Sequence, residues 1–176
     1  MTHRIPRRRF LQATAALAAL RALPTPVWAA SPNGKLRTAH IGVGGMGGAD
    51  LGSIASHSKV EVAALCDVDK NTLDQVKARH PNAQAFRDFR DMLDKMGDSI
   101  DAVVVSTPDH THAAAAMTAL HHNKPVYCQK PLTHEVFEAR QLRLVAEQKK
   151  VPTQMGIQIH SSAVYRRAAL MIQQGV

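Results

Sequence analysis

The sequence contains few aromatic residues, and this scarcity argues against one class of partner. Only 4% of the 176 residues are aromatic. Proteins that bind single-stranded nucleic acid stack bases on aromatic side chains along a basic groove. The formal net charge is +8, but five arginines precede residue 30, where there is no Asp or Glu, so the rest carries only 8 − 5 = +3. We therefore expect no nucleic-acid partner.

Long hydrophobic runs are also lacking. The most apolar segment, residues 11–23, is interrupted by Arg21. A membrane-spanning helix needs about 20 consecutive apolar residues. We therefore expect no stable membrane anchor, although an amphipathic helix or an anchor is the alternative interpretation of this segment.

The amino-terminal segment has the features of an export signal. The motif Arg7-Arg8-Arg9-Phe10-Leu11 fits the twin-arginine pattern, and an apolar stretch leads from it to a small-residue cleavage motif that ends at Ala29. This pattern predicts a signal peptide over residues 1–29 and a linker over 30–34. It also predicts export to the periplasm by the twin-arginine machinery.

Beyond the linker, short β-type runs alternate with helix-type stretches. Strands are expected at residues 36–41, 60–66, 83–86, 100–106, 126–128 and 153–159, and helices at 46–57, 70–80, 88–96, 110–121, 133–149 and 163–174. Six β/α alternations predict an α/β fold with a doubly wound parallel sheet, the Rossmann fold, in the strand order 3-2-1-4-5-6. The predicted domain covers residues 35–176.

Cysteine is scarce, and the predicted topology decides the state of the two that are present. Cys66 ends the second strand and Cys128 ends the fifth. Three strand spacings put them about 14 Å apart, whereas a disulfide needs Cα atoms within about 7 Å. We expect two free thiols.

A glycine-rich motif follows the first strand. Gly42, Gly44 and Gly47 form a Gly-x-Gly-x-x-Gly pattern that includes Gly45 and Met46. The glycines permit a tight turn and close approach of the backbone to a pyrophosphate, which the helix amino terminus then binds. A structural glycine-rich turn is the alternative interpretation.

An acidic residue stands where a dinucleotide site requires one. Asp67 lies 20 residues after Gly47, at the end of the second strand, where a carboxylate can accept hydrogen bonds from the ribose hydroxyls. It would repel the 2′-phosphate of NADP, and Lys70 is the only cation nearby in sequence. NAD is therefore the expected cofactor, and NADP is less favoured.

Two further motifs follow strands that border the expected ligand crevice. Ser106, Thr107 and Pro108 follow the fourth strand, and His112 lies just beyond them. His110 and His112 suggest a metal pair or a base, but a helix start with one histidine on the cofactor is favoured. No metal site is expected. After the fifth strand, Lys130 precedes a proline at the same edge, which makes it a candidate functional residue.

Together these motifs resemble the Gfo/Idh/MocA (glucose–fructose oxidoreductase / inositol dehydrogenase) family over residues 35–176. The resemblance is carried by residues 42–47, 66–69, 106–112, 128–133, 154–160 and 165–167. It implies that Lys130 is catalytic and lies near the nicotinamide, with Gln129 and Gln158 also in cofactor contact. Gln129 replaces the usual Glu, so a negative neighbour of Lys130 is lost. Gly156-Ile157-Gln158 replaces the frequent Gly-Asn-Gln.

The resemblance implies hydride transfer between a nicotinamide cofactor and a sugar or polyol. It also implies a second α+β domain beyond residue 176, with the acid/base groups and most of the substrate pocket, and is compatible with a homo-oligomer in the full-length form. The chain alone is therefore expected to be inactive. Two alternatives are an NAD-dependent glycosidase of the same fold and a non-catalytic NAD-binding module.

Overall fold

The computed structural model describes residues 34–175. The signal peptide predicted over residues 1–29 and nearly all of the predicted linker lie outside this range. Residues 35–176 cluster as one compact unit. Within the described range, no helix combines the length and the apolarity that a bilayer crossing requires.

Six parallel strands form one sheet. They are β1 Leu36–Ile41, β2 Val60–Cys66, β3 Gln84–Phe86, β4 Ala102–Val105, β5 Val126–Gln129 and β6 Thr153–Gly156. The strand order is β3-β2-β1-β4-β5-β6, and all five pairings are parallel. The predicted Rossmann fold and its strand order are confirmed. The order reverses between β1 and β4, so a ligand crevice is expected at their carboxyl ends.

The described residues form six α-helices, of which the first five connect the strands and the last follows β6 and is exposed. They are α1 Gly45–Ala55, α2 Lys70–Arg79, α3 Phe89–Met96, α4 Asp109–His121, α5 Val136–Lys149 and α6 Ala163–Gln173, with two 3-10 turns at Gly97–Ser99 and Gln158–Ser161. Side-chain caps fix the starts of α2 and α3, because Asp69 accepts from the N–H of Asn71 and Asp88 from that of Arg90.

Several predicted boundaries were wrong by one to three residues, and the structure explains three of them. The last strand stops at Gly156, because Ile157 leaves the extended conformation and Gln158 begins a 3-10 turn. The fourth strand starts at Ala102, the first β4 residue paired with β1. Helix α5 starts at Val136, because Glu135 and its capping-box partner Glu138 place the helix start there.

Two apolar layers cover the two faces of the sheet. Helices α3, α4 and α5 pack on one face around Met92, Leu93 and Leu120, and the other layer contains Val43, Leu51, Leu65, Leu73, Val76 and Ala83. Both cysteines are buried and free, as predicted. Burial raises the pKa of each thiol to about 12, so both stay protonated.

Candidate functional site

The glycine-rich loop between β1 and α1 depends on the absence of side chains. Gly42 has φ +80°, and a Cβ there would lie 2.8 Å from the backbone of Ser106 and Thr107. A Cβ on Gly47 would overlap the carbonyl oxygen of Gly42. Any larger residue at either position would therefore separate the loop, α1 and the end of β4.

The amino end of α1 is open toward the crevice. Gly44 is the N-cap and supplies no side-chain acceptor for the first helical N–H groups. A Cβ on Gly45 would meet nothing within 4 Å, although the φ of +48° favours glycine. Unused N–H groups and the helix dipole together make such an end suited to an anion.

Asp67 is held beside this loop at the end of β2. Its Oδ2 accepts a hydrogen bond of 2.9 Å from the Val43 N–H, and its Oδ1 accepts one of 3.0 Å from the Asp69 N–H. The side chain is half-buried. Each carboxylate oxygen has further lone pairs, so Asp67 can brace the loop and still accept from ribose hydroxyls.

Six of the predicted cofactor residues line one cavity of about 360 Å³. They are Gly42, Gly44, Asp67, Ser106, Thr107 and Pro108. The other seven predicted residues are not among its lining residues: Gly45, Met46, Gly47, His112, Gln129, Lys130 and Gln158. The glycine-rich loop, the acidic residue after β2 and the β4 loop therefore meet, as the sequence predicted.

Arg87 also lines this cavity, and the sequence motifs did not reveal it. Its guanidinium donates a hydrogen bond of 3.0 Å to the carbonyl oxygen of Val68. Arg87 directly follows β3, which pairs with β2. The predicted strand order could have found it, since neighbouring parallel strands end at the same edge of the sheet.

Thr107 presents an unpaired polar atom within the β4 loop. Its Oγ1 is buried and has no hydrogen-bond partner among the described residues. A buried hydroxyl without a partner costs free energy unless a ligand or water supplies one. The orphaned hydroxyl and the glycine cradle therefore fit a dinucleotide in this crevice.

His112 braces the crevice loops. It is buried, and its ring nitrogens lie 2.7 Å from the carbonyl oxygens of Thr107 and Pro131. Because backbone partners occupy both nitrogens, the ring has no free nitrogen for a cofactor hydrogen bond or for a metal. His110, by contrast, is exposed beside Asp109. The geometry therefore gives His112 a positioning role.

Gln129 belongs to a buried polar cluster rather than to an open surface. Its Nε2 donates to both carboxylate oxygens of Asp50, at 3.0 and 2.8 Å, and the Ser106 hydroxyl donates to Asp50 Oδ2 at 2.7 Å. The Oε1 of Gln129 accepts from the Lys130 N–H at 3.0 Å. A carboxylate therefore does lie beside residue 129, supplied by Asp50 of α1 instead of by residue 129 itself.

The remaining predicted residues, Lys130, Met46 and Gln158, lie outside the lining of this cavity. Lys130 is exposed, and the peptide bond that joins it to Pro131 is cis. The Gln158 amide nitrogen lies 3.9 Å from the sulfur of Met46 in the first turn of α1. The fold thus brings the 3-10 turn after β6 against the helix start that follows the glycine-rich loop.

Comparison with known proteins places this site in a family. The oxidoreductase family with an NAD-binding Rossmann fold (GFO_IDH_MocA) matches residues 36–157. The inositol 2-dehydrogenase of Rhodococcus jostii (strain RHA1) is 35% identical over 150 residues, which are 82% of this chain and 40% of that protein. A glycosyl hydrolase family 109 protein of Stenotrophomonas maltophilia (strain K279a) is 36% identical over 135 residues, which are 70% of this chain and 29% of that protein.

A solved structure agrees with these relatives. The scyllo-inositol dehydrogenase from Lactobacillus casei with bound NAD(H) and scyllo-inositol aligns with a TM-score of 0.73 and 25% identity, over 80% of this chain and 42% of that one. The chain spans about two fifths of the length of the dehydrogenases that it matches. The family match covers β1 to β6 and all residues that line the cavity, so the chain belongs to the Gfo/Idh/MocA oxidoreductase family and contains the NAD-binding Rossmann domain of that family.

Proposed function

We propose that this chain is the cofactor-binding part of an oxidoreductase that transfers a hydride between NAD and a sugar or polyol. The observation that carries the proposal is the single cavity in which the glycine-rich loop, Asp67 and the unpaired hydroxyl of Thr107 meet. These groups match the pyrophosphate, the adenosine ribose and a further polar group of a dinucleotide.

Each side of the crevice has a defined part in this proposal. The amino end of α1 binds the pyrophosphate, and Asp67 accepts hydrogen bonds from the ribose. When bound, the nicotinamide accepts or donates the hydride. Lys130, exposed at the end of β5, polarises the hydroxyl or carbonyl oxygen of the substrate, because an ammonium group stabilises negative charge that develops there.

A polyol is the substrate class that the relatives favour. The Rhodococcus protein is named an inositol 2-dehydrogenase, and the Lactobacillus structure contains scyllo-inositol. To test this, the chain is joined to the part of the Rhodococcus protein that it does not cover, and NADH formation is measured with inositols. The expected result is polyol-dependent NADH formation that Lys130→Met abolishes while NAD affinity changes little. Near-normal turnover of that variant would contradict the role of Lys130.

A redox-assisted glycosidase is the second candidate, favoured by the relative named a glycosyl hydrolase family 109 protein. Such an enzyme would use NAD as a transient oxidant and regenerate it within each turnover. Net NADH formation separates the two functions. An oxidoreductase accumulates NADH as the polyol is oxidised, whereas the glycosidase releases sugar from a glycoside with no net NADH.

We also propose that the protein is exported by the twin-arginine route, on the basis of Arg7 and Arg8 ahead of Phe10 and Leu11. This route exports folded proteins, so NAD would be bound before export. Replacing both arginines by lysine should leave an uncleaved precursor in the cytoplasm. Periplasmic protein that begins near Ala30 in that double variant would contradict the proposal.

A further inference from the structure

Asp50 is a buried carboxylate whose hydrogen-bond donors are neutral groups. It is 8% exposed and accepts from the Gln129 amide and the Ser106 hydroxyl. Among the described residues, no lysine, arginine or histidine forms an ion pair with it. Neutral donors satisfy its lone pairs but leave its charge uncompensated.

The charge of Asp50 acts in a part of the protein where solvent screens it weakly. It adds to burial in raising the pKa of Tyr127 on β5. Lys130, the nearest cation along β5, is exposed. Screening weakens an exposed charge more than a buried one. The charge of Asp50 is therefore felt at this end of the crevice with less screening than the charge of Lys130.

The position of Asp50 relates this field to one half of the cofactor. Asp67 marks the adenosine side, at the end of β2, whereas Asp50 binds residues at the ends of β4 and β5. A dinucleotide lies across the crevice where the strand order reverses. With the pyrophosphate at α1 and adenosine toward β2, the nicotinamide falls on the β4–β5 side.

From this arrangement we infer that Asp50 determines specificity for the oxidation state of the cofactor and favours NAD⁺ over NADH. The inference rests on the proposed binding of NAD. The nicotinamide ring is a cation in NAD⁺ and neutral in NADH, so a nearby buried negative charge stabilises only the oxidised form. Gln129 is part of the same arrangement, because its amide donates to both oxygens of Asp50, where a second carboxylate would repel it.

Calorimetry with NAD⁺ and with NADH on the 35–176 segment tests the inference. Asp50→Asn is nearly isosteric and removes the charge. It should lower the ratio of Kd(NADH) to Kd(NAD⁺) by about four- to sixteenfold, as expected for unit charges about 10 Å apart at an effective dielectric constant of about 20 to 40. Asp67→Asn is the matched control on the adenosine side, where both forms should weaken equally and the ratio should stay constant.

Charge relocation makes the test independent of packing. In Asp50→Asn/Gln129→Glu the carboxylate moves from residue 50 to residue 129, its hydrogen-bond partner. The ratio of Kd(NADH) to Kd(NAD⁺) should then return toward its original value. If Asp50→Asn does not fold, Asp50→Leu/Gln129→Met removes both polar partners and should give the same lowered ratio. A structural role alone would change both affinities together.

The outcomes separate the two proposals. If both forms bind and the charge-removing variant leaves the ratio unchanged, the inference is overturned while the proposed function stands. If the unmodified segment binds neither form, the proposed function is overturned together with the inference. A lowered ratio that Asp50→Asn/Gln129→Glu restores supports both.

Discussion

The glycine-rich loop separates two sides of the crevice, and each side holds one carboxylate in a different way. On the adenosine side, Asp67 is half-buried and accepts from the backbone N–H groups of Val43, in the loop, and of Asp69. On the nicotinamide side, Asp50 is buried and accepts from the side chains of Gln129 and Ser106. One carboxylate can still reach a ligand, whereas the other is enclosed.

The two carboxylates would recognise the cofactor by different mechanisms. Asp67 can act by direct hydrogen bonds, which are short-range and select ribose hydroxyls over a phosphate. Asp50 can act only through its charge and through the loop that it holds, because side-chain donors surround its oxygens. We therefore expect direct contact with Asp67 to select NAD over NADP, and the electrostatic field of Asp50 to select the oxidised over the reduced cofactor.

The largest expected effect comes from Gln129→Glu, which disrupts the buried polar cluster on the nicotinamide side. This change places a second carboxylate at hydrogen-bond distance from Asp50 and removes the amide donor. An uncompensated buried charge should lower the free energy of unfolding by about 3–5 kcal/mol. Urea denaturation at pH 7.5 measures this loss.

The control for this prediction is Asp50→Asn/Gln129→Glu. It keeps one carboxylate and one amide in the cluster and should recover most of the lost stability. A single Gln129→Glu variant as stable as the unmodified chain would show that the cluster opens to water without cost.

On the adenosine side, Asp67→Ala should weaken NAD binding by about 10- to 150-fold, since hydrogen bonds to a charged acceptor contribute about 1.5–3 kcal/mol. NADP should be affected less, because removal of the carboxylate also removes repulsion of the 2′-phosphate. Calorimetry with both cofactors measures how far the difference between the NAD and NADP affinities narrows. Preference for NADP by the unmodified chain would contradict this role of Asp67.

Most of the fold and half of the site could be predicted because their signals are local. The glycine spacing, the acidic residue that ends β2 and the alternation of strands and helices each depend on a few consecutive residues. Asp50 was missed although it is the only charged residue within α1. Which side of a helix faces the ends of β4 and β5 depends on packing, which no local motif records.

Two other residues show the same limit. Arg87 enters the adenosine side only because β3 pairs with β2, so its relevance comes from topology and not from a motif. His112 was predicted as a cofactor contact, but both ring nitrogens bind backbone carbonyls. A sequence can place a histidine beside a crevice without showing which atoms its ring will meet.

Strand β1 lies between the two sides and contains His40. We expect this histidine to make the fold less stable in acid. This histidine is 1% exposed, and burial, with the nearby His80, lowers its pKa from 6.5 to about 4. The unfolded chain therefore binds a proton at a pH where the folded chain does not. Stability is full above about pH 6.5 and falls with pH toward 4, by about 2 kcal/mol between pH 7 and 5.

His40→Val should remove most of this pH dependence. The hydroxyl of Thr38, which lies 3.0 Å from the His40 ring, keeps its bond to the Glu61 carbonyl oxygen in that variant. Thermal unfolding of both proteins at pH 5 and pH 7 measures the effect. An equal decrease in the two proteins would assign the acid sensitivity to other groups.

The smallest expected effect concerns cofactor binding on the adenosine side alone. Arg87 is exposed and lines the cavity beside Asp67, so its guanidinium is the cation that a 2′-phosphate would meet. Exposed ion pairs contribute up to about 1 kcal/mol, so Arg87→Ala should weaken NADP about two- to fivefold. NAD should change less than this because it has no 2′-phosphate.

Lys70→Ala is the matched control: Lys70 is paired with Asp74, so neither affinity should change. If Lys70→Ala weakened NADP while Arg87→Ala did not, the cation nearer in sequence would be the one that reaches the cofactor.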